Sequence, residues 1–234
     1  MNIPQRLTLH RRSLAPRFAE AGWTDPDLPE ILRPRRATPV RTLATILLVL
    51  FAGSMLGIAS AYVLIERERP FLAVNIGPWS AYPKAGTSEA DPYSVAIYTR
   101  SARVPLASGE GLALTARTDS AGASLDPACI YSISGRTPTA RLWTLTATDA
   151  NGRLMKTLAD RSSLNSGQIL HSEDGSFNIT AASSPHSGNW LPLTANPSTE
   201  NDLMFTVRLY DTPITTGSAL RGAVMPKIER LACP

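Results

Sequence analysis

From Thr42 to Ile65 the chain runs for 24 residues without a charge, TLATILLVLFAGSMLGIASAYVLI, and no other feature constrains its fold so strongly. As a helix rising about 1.5 Å per residue the run is about 36 Å long, enough to cross a hydrocarbon core of about 30 Å with some tilt. Arg41 closes it on one side and Glu66-Arg67-Glu68-Arg69-Pro70 on the other. The run predicts a single transmembrane helix over 42–65, with the lipid bilayer as its partner. Gly53 and Gly57 form a GxxxG spacing, with Ser54, Ala59, Ser60 and Ala61 near by. Such a surface lets two helices approach closely, which makes a homodimer through Gly53 and Gly57 one expectation. Small residues are also simply common in membrane helices.

The flanks give an orientation. The formal net charge is +4, and all of that excess lies in residues 1–41, where eight arginines face four acids. Arg33, Arg35, Arg36 and Arg41 directly precede the apolar run, whereas Arg67 and Arg69 beyond it alternate with Glu66 and Glu68. Basic residues stay on the cytosolic side, so the N-terminus is expected in the cytoplasm and residues 70–234 outside the inner membrane, in the periplasm. Ala59-Ser60-Ala61 resembles a signal-peptidase site, but a 41-residue leader is far too long and the apolar run continues past it through Ile65, which favours an uncleaved anchor. The tail over 1–41 is rich in Pro and Arg without apolar periodicity and reads as mostly disordered, near anionic headgroups or as a docking peptide. The remaining residues carry as many acids as bases, so no nucleic-acid partner is expected.

Only two cysteines occur, Cys129 and Cys233, both on the exported side. An even count in an oxidising compartment suggests one disulfide, the alternative being two buried thiols. Neither has a histidine or basic neighbour in sequence of the kind that activates a catalytic thiol.

The exported part is organised by two periods. Residues 66–108 read as a linker and a short helix. In it Ala73–Gly86 forms an irregular lead-in, and Asp91 is an N-cap before Pro92 for a helix ending ahead of Pro105. From 109 the period becomes two. Leu112, Leu114 and Ala116 alternate with Ala113, Thr115 and Arg117; the same holds around Cys129–Ser134, Leu142–Thr148 and Phe177–Ala181. Leu203, Phe205, Val207 and Leu209 alternate with Met204, Thr206, Arg208 and Tyr210. Asp119–Gly122, Asp149–Gly152 and Asp174-Gly175 punctuate these runs as turns. An all-β, antiparallel sandwich or barrel over 109–234 follows, with eight or more strands.

Five ordered motifs make this part resemble a known family. They are Leu142-Trp143-Thr144-Leu145 leading into Asp149 and Gly152, Asp174-Gly175-Ser176, Asn189-Trp190-Leu191-Pro192, Phe205 through Arg208-Leu209-Tyr210, and Met225-Pro226-Lys227-Ile228. Together they resemble the family named domain of unknown function 1214, over about Gly109 to Cys233. In longer proteins that family often follows a domain of unknown function 1254; this chain is similar to a short membrane-anchored variant. The resemblance implies a jelly-roll-like β-sandwich and no established activity. The chain departs from the commoner form where Ala147-Thr148-Asp149 stands in place of a Tyr-Asp pair, and where Asp211-Thr212-Pro213 displaces a proline.

No catalytic signature is present: no G-x-S-x-G elbow, no H-E-x-x-H, no S-x-x-K and no phosphate loop. His171, Asp174 and His186 have no recognised metal-ligand spacing, so neither a metal nor a cofactor is expected. The candidate ligand-binding residues are Asn189, Trp190, Arg208 and Asp174. Trp190 offers a stacking platform for a sugar ring with Asn189 as a hydrogen-bonding arm, unless the indole is buried at a sandwich edge. Arg208 either holds an anionic ligand or pairs with an acid such as Asp174. The leading expectation is a bitopic envelope protein whose sandwich binds or organises an envelope protein or glycan. The alternatives are a hydrolase or carbohydrate-active enzyme using the concave face near Asn189, Trp190 and Arg208, and a sensor signalling through the GxxxG helix.

Overall fold

The computed structural model describes residues 38–66, 73–107, 109–158, 160–194, 203–213, 220 and 222–233. The tail read as disordered falls on residues 1–37 up to its last four, and those 37 lie outside the described residues, as do Arg67 to Arg69. Among the described residues there are two helices and ten strands. Helix α1 (Pro39–Glu66) is 28 residues long and takes in the whole uncharged run. Pro39 suits a first helical position because its missing N–H has no intrahelical acceptor there. No residue of α1 is buried by the rest of the chain, and Leu56 is 72% exposed. A helix that is apolar on every side and holds no fully buried residue, with only its last turns partly covered, is suited to hydrocarbon, where its backbone bonds are satisfied internally. The chain forms two compact units whose boundary falls within this helix, the second beginning at Ala59.

The second unit is a two-sheet sandwich. A six-stranded sheet has the order β1 (Val74–Ile76), β2 (Trp79–Ala81), β3 (Gly111–Ala116), β9 (Leu203–Tyr210), β5 (Leu142–Asp149), β6 (Ser163–Asn165). A four-stranded sheet has the order β10 (Lys227–Ala232), β4 (Ile130–Gly135), β7 (Phe177–Ala182), β8 (Asn189–Pro192). The registers explain the alternation in sequence. Leu209 lies opposite Leu112 and Trp143, Val207 opposite Leu114 and Leu145, and Phe205 opposite Ala116 and Ala147. All of these are buried and face Tyr131, Ile133, Ile179, Leu191 and Ile228 of the other sheet across one core. Tyr131 meets Phe205 edge-on at 6.1 Å between ring centroids, and Trp143 meets Phe177 at 4.9 Å.

Two features were not legible in the sequence. The lead-in read as irregular contains the hairpin β1–β2, which pairs with β3 and widens the large sheet. Trp79 and Ala81 are fully buried there, and the Trp79 indole donates to the Pro226 carbonyl at 2.7 Å, linking β2 to the approach to β10. Three-residue strands around Gly77-Pro78 are too short to show a period. The sandwich is also not wholly antiparallel, because β8 runs parallel to β7.

Helix α2 (Pro92–Arg100) starts as its sequence suggests. The Asp91 carboxylate accepts from the Tyr93 and Ser94 amides at 3.0 and 2.9 Å, and Pro92 occupies the first turn. Cys129 and Cys233 form a disulfide with a sequence separation of 104. It clamps the end of β10 to the start of β4, the strand with which β10 pairs.

Candidate functional site

The four candidate residues do not gather in one place. Asn189 and Trp190 lie on β8 and Asp174 in the turn before β7, all on the four-stranded sheet. Arg208 lies in the middle of β9 on the opposite sheet, in register with Ala113 and Thr144 and pointing away from the core. The hydrophobic layer between the sheets separates it from the other three.

Asn189 is a clasp. Its Oδ1 accepts from the Leu170 amide at 2.7 Å, and its Nδ2 donates to the Leu170 carbonyl at 2.9 Å and the Asn178 carbonyl at 3.0 Å. Both amide protons are thus used in fastening the loop before β7 to the β7–β8 pair. Trp190 is half-buried, and its indole N–H donates to the Ala182 carbonyl at 3.0 Å. It ends a cross-strand row on the outer face made by Glu229, Ser132 and Thr180.

Asp174 is committed to its own turn. Its Oδ1 accepts from the Ser176 hydroxyl at 2.6 Å and the Ser176 amide at 3.0 Å, and its Oδ2 accepts from Arg136 at 2.9 Å. These bonds, the Ser176 hydroxyl foremost, lower the carboxyl to about 2. The acid that sequence reasoning offered to Arg208 is therefore paired with Arg136 instead. His171 and His186 are exposed on separate loops, His171 edge-on to Phe177 and His186 against the Ser184 carbonyl.

A cluster that sequence reasoning did not find lies at the β10 edge. Asp119 is 5% exposed, and its Oδ1 accepts from the Ala121 and Ala123 amides at 3.0 and 2.9 Å. Its Oδ2 lies 3.5 Å from Nε of Arg230, whose guanidinium also donates to the Ser124 carbonyl and stacks 5.6 Å from the Tyr131 ring centroid. The Tyr131 hydroxyl accepts from the Asp126 amide at 2.7 Å, and burial pushes its phenol up. The signal in sequence was the Asp119–Gly122 turn alone; its arginine is far away along the chain. The Ser120 amide and hydroxyl also bond the carbonyl and amide of Ile228. The outer edge of β10 is thereby capped against further strand addition.

Two grooves lie on the other side of the sandwich, around α2. One, of about 250 Å³, runs between the loop Ala85–Ala90, α2 and Pro105. The second, of about 190 Å³, is lined by Ile65, Glu66, Ile97, Arg100, Arg117 and Asn151 among others. Here the last turns of α1 meet the sandwich: Arg100 pairs with Glu66 at 2.6 Å and sits 5.2 Å from the Tyr62 ring centroid.

No curated protein matches the chain. Among solved structures it is similar to the VPA0106 protein from Vibrio parahaemolyticus, with a TM-score of 0.51, 19% identity and coverage of 85% of this chain and 47% of that one. It is also similar to an uncharacterised protein from Burkholderia cenocepacia, with a TM-score of 0.40, 18% identity and coverage of 74% of this chain and 40% of that one. The chain thus spans less than half the length of either, and at this identity the first likeness speaks for the fold alone. Residues 110–214 match the family described as "Protein of unknown function (DUF1214)". They take in strands β3 to β9, the cross-strand ladder of β9 with β3 and β5, and all four candidate residues, so the similarity to that family falls on the central part of the sandwich.

Proposed function

We propose that the protein is a single-pass inner-membrane protein that holds its β-sandwich in the periplasm as a binding or structural module of the cell envelope. The observation that carries this reading is the pairing of an unburied 28-residue apolar helix with a disulfide in the domain that follows it. The helix suits lipid, and the disulfide suits an oxidising compartment. The arginines ahead of the helix keep the N-terminus in the cytosol. A module without chemistry fits the candidate polar groups, since Asn189 and Asp174 spend their bonds on the fold. The Trp190 ring face is the surface offered to a flat ligand such as a glycan.

A reporter active only outside the cytosol, fused after Pro234, tests the topology in intact cells. Activity in the membrane fraction is expected, and silence or a soluble product overturns the reading. Turnover of a glycan or ester panel by the purified chain, lost on Trp190→Ala, would overturn the non-enzymatic part.

A further inference from the structure

The last turn of α1, which belongs to the second unit, lies against one particular edge of the sandwich. Ile65 and Glu66 line one groove with Ala150 and Asn151, the residues that open the β5–β6 loop. Gly152 in that loop packs on the segment after α2, where a Cβ built on it would lie 2.9 Å from Cδ of Arg103. The last turn of α1, the chain at 103–104 and the loop after Asp149 therefore lie side by side within the second unit.

This edge carries an unusual surface. Val104 is 84% exposed, the highest value among the large hydrophobic side chains of the described residues, and Leu154 is 70% exposed. Leu154 is not exposed for want of order. It bridges Thr148, and the Asp149 amide donates to the Arg153 carbonyl at 3.0 Å in the same turn. Arg153 and Lys156 are exposed on either side of it. Oδ1 of Asp149, at the start of this turn, accepts from the Asn151 and Arg153 amides. Exposed apolar side chains flanked by basic ones have the chemistry of a membrane interface, where the hydrocarbon enters the headgroup layer and the charges meet lipid phosphates.

We propose that Val104 and the loop Gly152–Lys156 form a lipid-contacting rim that seats the sandwich on the outer headgroup layer of the bilayer crossed by α1. Val104 and Leu154 enter the interface, and Arg153 and Lys156 face the phosphates of anionic phospholipids. The proposal rests on the reading of α1 as a span, and the occupant is the bilayer to which that span would tether the domain.

The test uses the full chain, disulfide intact, in nanodiscs of mixed phosphatidylcholine and phosphatidylglycerol. A polarity-sensitive fluorophore is placed on a single new cysteine at Leu56→Cys in the span, Val104→Cys or Leu154→Cys in the rim, or Arg141→Cys at the far end of β5 from Asp149, about 25 Å away at strand spacing. Nitroxide lipids spin-labelled in mid-chain or at the headgroup serve as quenchers. Labels at 104 and 154 are expected to shift to the blue and lose emission to headgroup nitroxide while the label at 141 does not. Arg153→Ala with Lys156→Ala is expected to weaken that seating about fivefold per charge at low salt. Quenching at 56 with labels at 104 and 154 as water-exposed as at 141 overturns the rim and leaves the span. No quenching at 56 overturns the span and the rim with it.

Discussion

The guanidinium of Arg230 lies 5.6 Å from the ring centroid of Tyr131 while its Nε reaches 3.5 Å from the buried carboxylate of Asp119. One side chain on an edge strand thus holds the 119–126 loop to the sandwich by charge, stacking and a backbone bond. Arg230→Ala leaves the Asp119 carboxylate with its backbone donors but no counter-charge, at an expected cost of about 1–3 kcal/mol. Arg230→Lys keeps the charge without the planar stacking and is expected to fall between. Urea unfolding of the detergent-solubilised chain measures both.

Tyr131→Phe removes the acceptor of the Asp126 amide and is expected to cost about 1 kcal/mol. It also changes the alkaline limb of stability. Burial raises the folded phenol, so the unfolded chain releases this proton first, near pH 10. The contribution is whole below that pH and is lost as pH rises towards the folded value. In Tyr131→Phe the alkaline loss of stability is expected to be shallower above pH 10.

The disulfide supplies a third outcome. Joining residues with a separation of 104 restricts the unfolded chain by about 4.7 kcal/mol in the chain-entropy model. Cys129→Ser with Cys233→Ser is expected to lose up to that amount. Because β4 is the only strand among the described residues that β10 pairs with, amide exchange should rise first over Lys227–Ala232, and uniform loss of protection would argue against a local role.

How far the sequence could be read depends on where each residue's partner lies. The β9 ladder was legible because Leu203, Phe205, Val207 and Leu209 alternate over eight residues, long enough for a period to emerge. The hairpin at Trp79 was not, because three residues show no period and its partner Pro226 lies 147 residues away. Asn189 read as a free arm because nothing local reveals that Leu170 satisfies it. Arg230 was unremarked for the same reason, its acceptor at Ser124 being 106 residues distant. Local patterns thus identify strands, turns and the Asp91 cap, while polar clasps between distant loops emerge only from the packed sheets.

Asp174 gives an acid-side prediction. Its carboxyl is held at about 2, chiefly by Ser176 and then by Arg136. Ser176→Ala, which removes the hydroxyl bond and keeps the amide bond, and Arg136→Ala, which removes a bond and a charge, should each raise it, as side-chain NMR titration resolves. A folded value below the unfolded one means that its contribution is whole above about pH 4 and is lost as pH falls through 2. The pair is exposed, so the effect on global stability is expected to be small.

Gly111 has a backbone reason to be glycine. Its φ is +154°, and a Cβ built on it would stand 2.0 Å from the Leu209 carbonyl oxygen on the neighbouring strand, an atom that cannot move without breaking the β3–β9 ladder. Gly122 also has a positive φ, +88°, but open space around its Cβ position. The two substitutions separate strain from collision. Gly122→Ala is expected to cost about 1 kcal/mol through backbone conformation alone. Gly111→Ala adds the clash to the strain and is expected to cost about 3 kcal/mol or more, or to prevent folding. Parallel unfolding curves for the two variants decide the matter. Equal losses would mean that β3 and β9 can part at this end, and that the ladder beneath Arg208 is looser than its register implies.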